Sequence, residues 1–304
     1  MHREKMRSGW SRLLCLLFCF CMLLGGCASA NKTGGEKKAQ VEETKDGEDG
    51  KAKADLGAKE EIKLDESCVK EIKERGYLIV GCKTDVPGLG YYDEKEDSWS
   101  GLEVELAYQS AACIFEVSLE EAKEQERVRF VGVTVADREE KLKEGEVDCL
   151  FATYTITDER KKQFAFSESY YTDYIGMMVK TSGENPNSVG SGEIRSIADL
   201  DGKYIGVAKN ATTRKTFLNY IQTMNALQTA PIFMEYESYE ALFRALKRGD
   251  IDVMAVDVSI LNGYLDKSTK ILGDRFGGQR YGAAVRKENA PLLEYLNQAL
   301  GAKT

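Results

Sequence analysis

The sequence predicts an α/β protein of two similar lobes, each a mixed, mostly parallel sheet flanked by helices. Three observations carry this. Short strands apolar on both faces, such as Tyr77-Leu78-Ile79-Val80-Gly81-Cys82, alternate with helical patterns, as in sheets covered on both sides. One plan occurs twice: Leu142-Lys143-Glu144-Gly145-Glu146-Val147-Asp148 leads into the apolar run 149–152, and Leu246-Lys247-Arg248-Gly249-Asp250-Ile251-Asp252 leads into 253–256. Finally, 304 residues are enough for about two domains of ordinary size.

The N-terminus reads as an address. Arg3, Lys5, Arg7 and Arg12 precede an apolar run from Leu13 to Leu24, followed by Gly25, Gly26 and Cys27. The run is too short to cross a bilayer of roughly 30 Å as a helix. Basic, apolar and small segments in that order describe a secretory signal, here residues 1–26. Leu24-Gly25-Gly26-Cys27 resembles a bacterial lipobox, which implies a lipidated Cys27 on the outer face of the cell membrane. Residues 27–61 are rich in Lys, Glu, Gly, Ala and Asp and have no aromatics. Such a segment buries too little apolar surface to offset its ordering entropy, so a flexible tether is expected.

The folded body begins with helical spacing at Cys68, Val69 and Ile72, stopped by Arg75-Gly76. The strand 77–82 follows. Helical patterns at 101–114 and 137–144 lie between it and the strand 149–152. The second lobe opens with Leu200, Gly202 and a strand at 204–208, and repeats the plan with helices at 213–223 and 238–247 and a strand at 253–256. Ile260, Leu261 and Tyr264 mark another helix, and Leu292–Leu300 the last. The expected division is 62–174 plus 282–304 for the first lobe and 175–281 for the second, with the chain crossing near 174–180 and 276–281.

Composition excludes several functions. The chain carries 42 Lys+Arg and 50 Asp+Glu. Removing residues 1–26, with four of the basic and one of the acidic residues, leaves a charge of −11. A nucleic-acid binder would need a basic surface. His2 is the only histidine, so histidine catalysis and histidine metal sites drop out. No metal and no cofactor are expected. Cys68, Cys82, Cys113 and Cys149 remain in the body with no C-x-x-C spacing. Buried free thiols are the plainer reading and a Cys68–Cys113 bridge the alternative.

In open α/β sheets, ligands sit beyond the carboxyl ends of the strands. Thr153-Tyr154-Thr155-Ile156-Thr157-Asp158-Glu159-Arg160 follows one strand. Arginine grips a carboxylate through two parallel N–H donors. Taken alone, Thr157 would be a helix cap and Arg160 a solvated charge. Thr212 and Thr213 open a helix, where hydroxyls and free N–H groups hold anions or simply cap. Asp257 ends a strand and suits either an ammonium group or an N-cap. Together, a carboxylate binder and an ammonium binder describe an α-amino-acid site.

At this point the sequence resembles the amino-acid-binding solute receptors of bacterial ABC transporters, with the type II periplasmic-binding-protein fold. The resemblance spans about 66–300. It rests on Gly81-x-Lys83-Thr84-Asp85-Val86-Pro87, Gly101-Leu102-Glu103-Val104-Glu105-Leu106-Ala107, Gly145-Glu146-Val147-Asp148 and the run from Ala152 to Arg160. Phe166-Ser167-Glu168-Ser169-Tyr170-Tyr171, Ala198-Asp199-Leu200-x-Gly202-Lys203, Thr212-Thr213, Asp252 through Asp257 and Tyr281-Gly282-x-Ala284-Val285 continue it in order. Arg160, Thr155 and Thr213 are thereby implied for the ligand α-carboxylate, and Thr153 and Asp257 for the α-ammonium. Arg138 and Lys83 stand where members for acidic amino acids have basic residues, and Pro87-Gly88-Leu89-Gly90 also resembles the glutamate and aspartate branch. The implied activity is capture of glutamate or aspartate by a monomer and delivery to a membrane permease with its ATPase. Glutamine, cystine or a dehydratase-like enzyme are the alternatives. Two departures stand out: Ala211 replaces a common glycine, and the family usually has more helix after 292–300.

Overall fold

The computed structural model describes residues 66–181, 193–225 and 227–301. The expected signal, Cys27 and the tether lie outside them. The chain divides into the units Met1–Lys59 and Glu60–Thr304, and every described residue belongs to the second.

The first half runs α1 (Ser67–Arg75), β1 (Leu78–Lys83), β2 (Asp85–Val86), β3 (Gly90–Asp93), β4 (Ser98–Ser100), α2 (Leu102–Phe115), α3 (Leu119–Glu124), β5 (Val128–Val133), α4 (Arg138–Glu144), β6 (Cys149–Phe151), α5 (Asp158–Lys161) and β7 (Phe164–Lys180). The second runs β8 (Tyr204–Ala208), α6 (Thr213–Met224), β9 (Ile232–Tyr236), α7 (Tyr239–Arg248), β10 (Val253–Asp257), α8 (Val258–Tyr264), β11 (Thr269–Ile271), β12 (Phe276–Arg286) and α9 (Leu292–Gly301). One sheet has the order β5-β1-β6-β12-β7-β10-β8-β9, with β11 beside β7. β2, β3 and β4 form a small separate sheet.

The central strands β1, β6, β8 and β10 are almost wholly buried because helices cover both faces. Against the first half, α1, α2 and α9 fill one face with Ile72, Leu106, Ile114 and Leu296, and Leu142 of α4 fills the other. In the second half Leu242, Leu246 and Leu261 pack one face, while Phe217 and Ile221 of α6 pack the other. The helix stops follow the sequence. Gly145 and Gly249 cap α4 and α7 at φ 78° and 85°, which an L side chain adopts only at a cost. Gly101, before α2, has no room for a side chain: a Cβ would lie 2.2 Å from the Leu89 carbonyl oxygen.

β7 and β12 join the halves. They pair antiparallel from Phe164↔Arg286 to Ile175↔Phe276, with irregularities beside Gly277, Gly282 and Ala283. At one end β6 flanks β12, and at the other β10 and β11 flank β7. Where Asp173 and Tyr174 face Gln279 and Gly278, the two strands pair only with each other among the described residues. That bare stretch begins slightly N-terminal to the expected crossing at 174–180.

Several strands escape the sequence pattern. β5 and β9 are edge strands, and each interrupts its apolar run with a charge, Arg129 and Glu235. The three strands of the small sheet are two to four residues long, too short to show a period. The thiols of Cys68, Cys82, Cys113 and Cys149 are all free, so the Cys68–Cys113 bridge is not formed. Burial pushes each thiol up from its usual pKa.

Candidate functional site

Beyond the end of β6 the chain turns sharply at Thr153. Its φ of 47° is left-handed, an outlier for a β-branched residue. Two buried charges hold the turn. The Thr153 N–H donates to Glu103 Oε1 at 2.5 Å, and Arg138 Nη1 donates to the Ala152 carbonyl at 2.6 Å and the Thr153 carbonyl at 3.3 Å. Glu103 also accepts from the Tyr170 hydroxyl at 2.5 Å. Its burial raises the carboxyl pKa, against these donors and the charges of Arg138 and Lys83.

Arg160 sits on the short α5, capped by Thr157, whose hydroxyl accepts from the Arg160 N–H. The expected cap is therefore present, yet the arginine is 6% exposed rather than solvated. Its Nη1 donates to the Thr155 carbonyl and its Nη2 to the Asn210 carbonyl of the other half, both at 2.9 Å. Its Nε lies 3.4 Å from Glu139, and the guanidinium stacks 4.1 Å from the Tyr154 ring centroid. Burial, then the neighbouring Arg138, lower its pKa to about 10, so it stays cationic at neutral pH.

The second half contributes the start of α6 and the end of β10. Thr212 and Asp257 occupy the N-cap positions of α6 and α8, yet neither side chain caps its helix. The Thr212 hydroxyl donates to Gln279 Oε1 at 2.7 Å, and the Thr155 hydroxyl donates to the same oxygen at 2.9 Å. Gln279 thus ties the two halves together. Asp257 accepts from the Tyr281 hydroxyl at 2.5 Å. Burial pushes the Asp257 carboxyl up to about 7. The Tyr281 hydrogen bond and the charges of Arg138 and Arg160 oppose the rise, and Asp173 adds to it.

Seven of the eight expected residues line one cavity: Arg138, Thr153, Thr155, Arg160, Thr212, Thr213 and Asp257. Tyr239 lines it as well. The free space is ≈ 10 Å³, about what one water needs, so the walls must separate to admit an amino acid. Lys83 is the residue that the fold does not bring there. It is fully buried, its Nζ is 2.9 Å from Asp85, and it lies 4.9 Å from the Tyr239 ring centroid. Burial lowers its pKa, and Asp85 opposes the change.

Arg138 is different. It is 2% exposed, has no ion-pair partner among the described residues, and its Nε has no hydrogen-bond partner. A buried charge left unpaired is costly, and here it faces the cavity.

Sequence reasoning missed Glu103, Tyr239, Gln279, Tyr281 and Asp173. Glu103 had a signal: an acid in the first turn of an apolar helix that is buried at 0% exposure. The other four act through contacts between distant segments. Among the described residues no cluster of His, Cys, Asp or Glu could hold a metal ion, and no helix is long and apolar enough to cross a membrane.

Residues 78–303 match the family described as bacterial extracellular solute-binding proteins, family 3. An ABC transporter glutamine-binding protein of Bacillus subtilis is 29% identical over 234 residues, 75% of this chain and 77% of the relative. A glutamate-binding protein of Corynebacterium efficiens is 26% identical over 235 residues, 75% and 74% of the two chains. Among solved structures, an ancestral arginine-binding protein bound to glutamine matches with TM-score 0.60 and 29% identity, over 75% of this chain and 92% of its own.

Proposed function

Since the chain belongs to the bacterial extracellular solute-binding proteins, family 3, whose members bind amino acids for ABC transporters and are not enzymes, we propose that its cavity captures an acidic amino acid, glutamate or aspartate. The observation that carries this reading is Arg138. Its buried guanidinium lines the cavity, makes no ion pair among the described residues, and leaves its Nε without a hydrogen-bond partner. A second ligand carboxylate would supply the missing partner. Lys83 takes no part, because Asp85 already holds it.

The other roles divide between the halves. Arg160 and the Thr155 hydroxyl receive the α-carboxylate, with Thr213 at the start of α6. Asp257 and Thr153 receive the α-ammonium. Closing the halves excludes water and strengthens each of these interactions. The closed form differs from the open one in its contacts, so ligand binding selects it. The bare ribbon at Asp173 and Tyr174 and its β12 partners is the natural place to bend. We extend the reading to the whole chain: a signal at 1–26, a lipid on Cys27, a tether to 61, lobes at 62–174 plus 282–304 and at 175–281, and transfer of ligand to a permease by a monomer.

A thermal-shift panel of the common amino acids tests the ligand. At a thousandfold excess over Kd a bound ligand adds about 4 kcal/mol of stability. Glutamate or aspartate is expected to raise the Tm and uncharged amino acids to leave it near its starting value. A rise with glutamine alone would move the assignment to the uncharged homologue.

A further inference from the structure

We propose that Tyr281 and Asp173, on the two strands that join the halves, are positioning residues for ammonium capture, and that capture releases a proton from Asp257. The inference rests on the reading of Asp257 as the ammonium ligand.

The geometry is a chain of contacts from the cavity to the crossing ribbon. Asp257 lines the cavity and is 7% exposed. The Tyr281 hydroxyl lies 2.5 Å from its Oδ2 and 3.3 Å from Asp173 Oδ2. One phenolic proton serves one acceptor, and the nearer is Asp257. Asp173 is itself 6% exposed and is held by the Ser259 N–H at 3.0 Å and the Ser259 hydroxyl. It stands opposite Gln279 in the β7–β12 ladder, and Tyr281 stands opposite Tyr171. Two carboxylates thus flank one hydroxyl at the point where the halves join.

The groups facing Asp257 are Arg138 of α4, Arg160 of α5, Tyr239 of α7, Tyr281 of β12 and Asp173 of β7. Both arginines and the Tyr281 donor favour its ionised form, whereas burial and Asp173 favour the protonated one. The balance leaves the carboxyl titrating near neutrality, pushed up to about 7. Only the carboxylate can pair with an ammonium group. Binding below that midpoint therefore moves the Asp257 proton to solvent, and the ligand's ammonium takes its place. The tyrosine sets where this happens and Asp173 works against it.

The test is the pH dependence of ligand affinity between pH 5.5 and 8.5, by calorimetry with glutamate on the full chain. In the wild type, affinity is expected to climb about tenfold per pH unit below the midpoint and to level off above it. Repeating the titration at pH 6.5 in buffers of different ionisation heat reads the released proton. Tyr281→Phe removes a donor to the carboxylate, so its midpoint is expected to rise by about one pH unit. Asp173→Asn removes a like charge, and its midpoint is expected to fall. If Asp173→Asn does not fold, the direction seen in Tyr281→Phe decides. A midpoint unmoved by Tyr281→Phe, with affinity lower by the same factor at every pH, would mean a merely structural role and overturn the inference. Failure of the wild type to bind any amino acid would instead overturn the reading of the site. In that event carboxyl NMR of Asp257 in wild type and Tyr281→Phe still decides whether the tyrosine sets its titration.

Discussion

The two halves of the molecule share a scaffold and differ in the charge they present. In the first half, Asp148 accepts the Ile79 N–H at 2.7 Å and its own N–H donates to the Ile79 carbonyl at 2.9 Å. In the second, Asp252 accepts the Tyr204 N–H at 2.8 Å and donates to the Tyr204 carbonyl at 2.8 Å. Both follow a helix closed by a left-handed glycine, Gly145 or Gly249. The twin contacts pin the start of β1 to β6 and of β8 to β10. What comes after the strands is not repeated. β6 leads to Thr153 and Arg160, with Arg138 behind them, whereas β10 ends on Asp257. One half offers cations and the other a carboxylate, which together match the two ends of an amino acid.

That contrast sets the order of expected effects. The largest belongs to Arg160→Ala, because removing one partner of a buried, hydrogen-bonded charge pair costs about 2–5 kcal/mol. Affinity for every ligand should fall by about 30-fold to several thousandfold in calorimetry. Asp257→Asn should weaken binding nearly as much while stabilising the protein in alkali. The sign follows from the folded carboxyl, which titrates at about 7, above its unfolded value. The native state binds more protons across that window, and the stability this gives is lost as pH rises through about 7. At pH 8 the variant should melt higher than wild type, by about 2–4 °C for each kcal/mol recovered.

Smaller effects separate positioning from contact. Glu103 holds Thr153 in its strained turn but does not line the cavity. Glu103→Gln should destabilise the fold by about 1–3 kcal/mol in urea denaturation and weaken all ligands alike. Asp148→Asn and Asp252→Asn should each cost about 1 kcal/mol and leave affinity unchanged. If either changed ligand preference, the division between scaffold and site would fail.

Much of this contrast is legible in the sequence. The repeated helix, glycine and aspartate run located both scaffolds. Placement after strands located Arg160, Thr155, Thr213 and Asp257, since the end of a buried strand is where a sheet meets its ligand. Lys83 shows the limit. It closes β1 as expected, yet Asp85, two residues on, draws its ammonium away from the cavity. No spacing rule reports such a side-chain direction. Gln279 and Tyr281 were opaque for another reason. Their partners Thr155, Thr212 and Asp257 lie 24 or more positions away, on other elements, and a single chain does not declare contacts of that range. The backbone strain at Thr153 had no visible signal, because Glu103 and Arg138 impose it from outside.

The most direct measurement is a pair of calorimetric titrations, glutamate and glutamine, against the wild type and Arg138→Gln. The two ligands differ in one charge and little in shape. The account predicts that wild type prefers glutamate and that Arg138→Gln loses about 30- to 100-fold of that affinity while its affinity for glutamine stays within a fewfold. A wild type that prefers glutamine, or a glutamate affinity that survives the substitution, would contradict it.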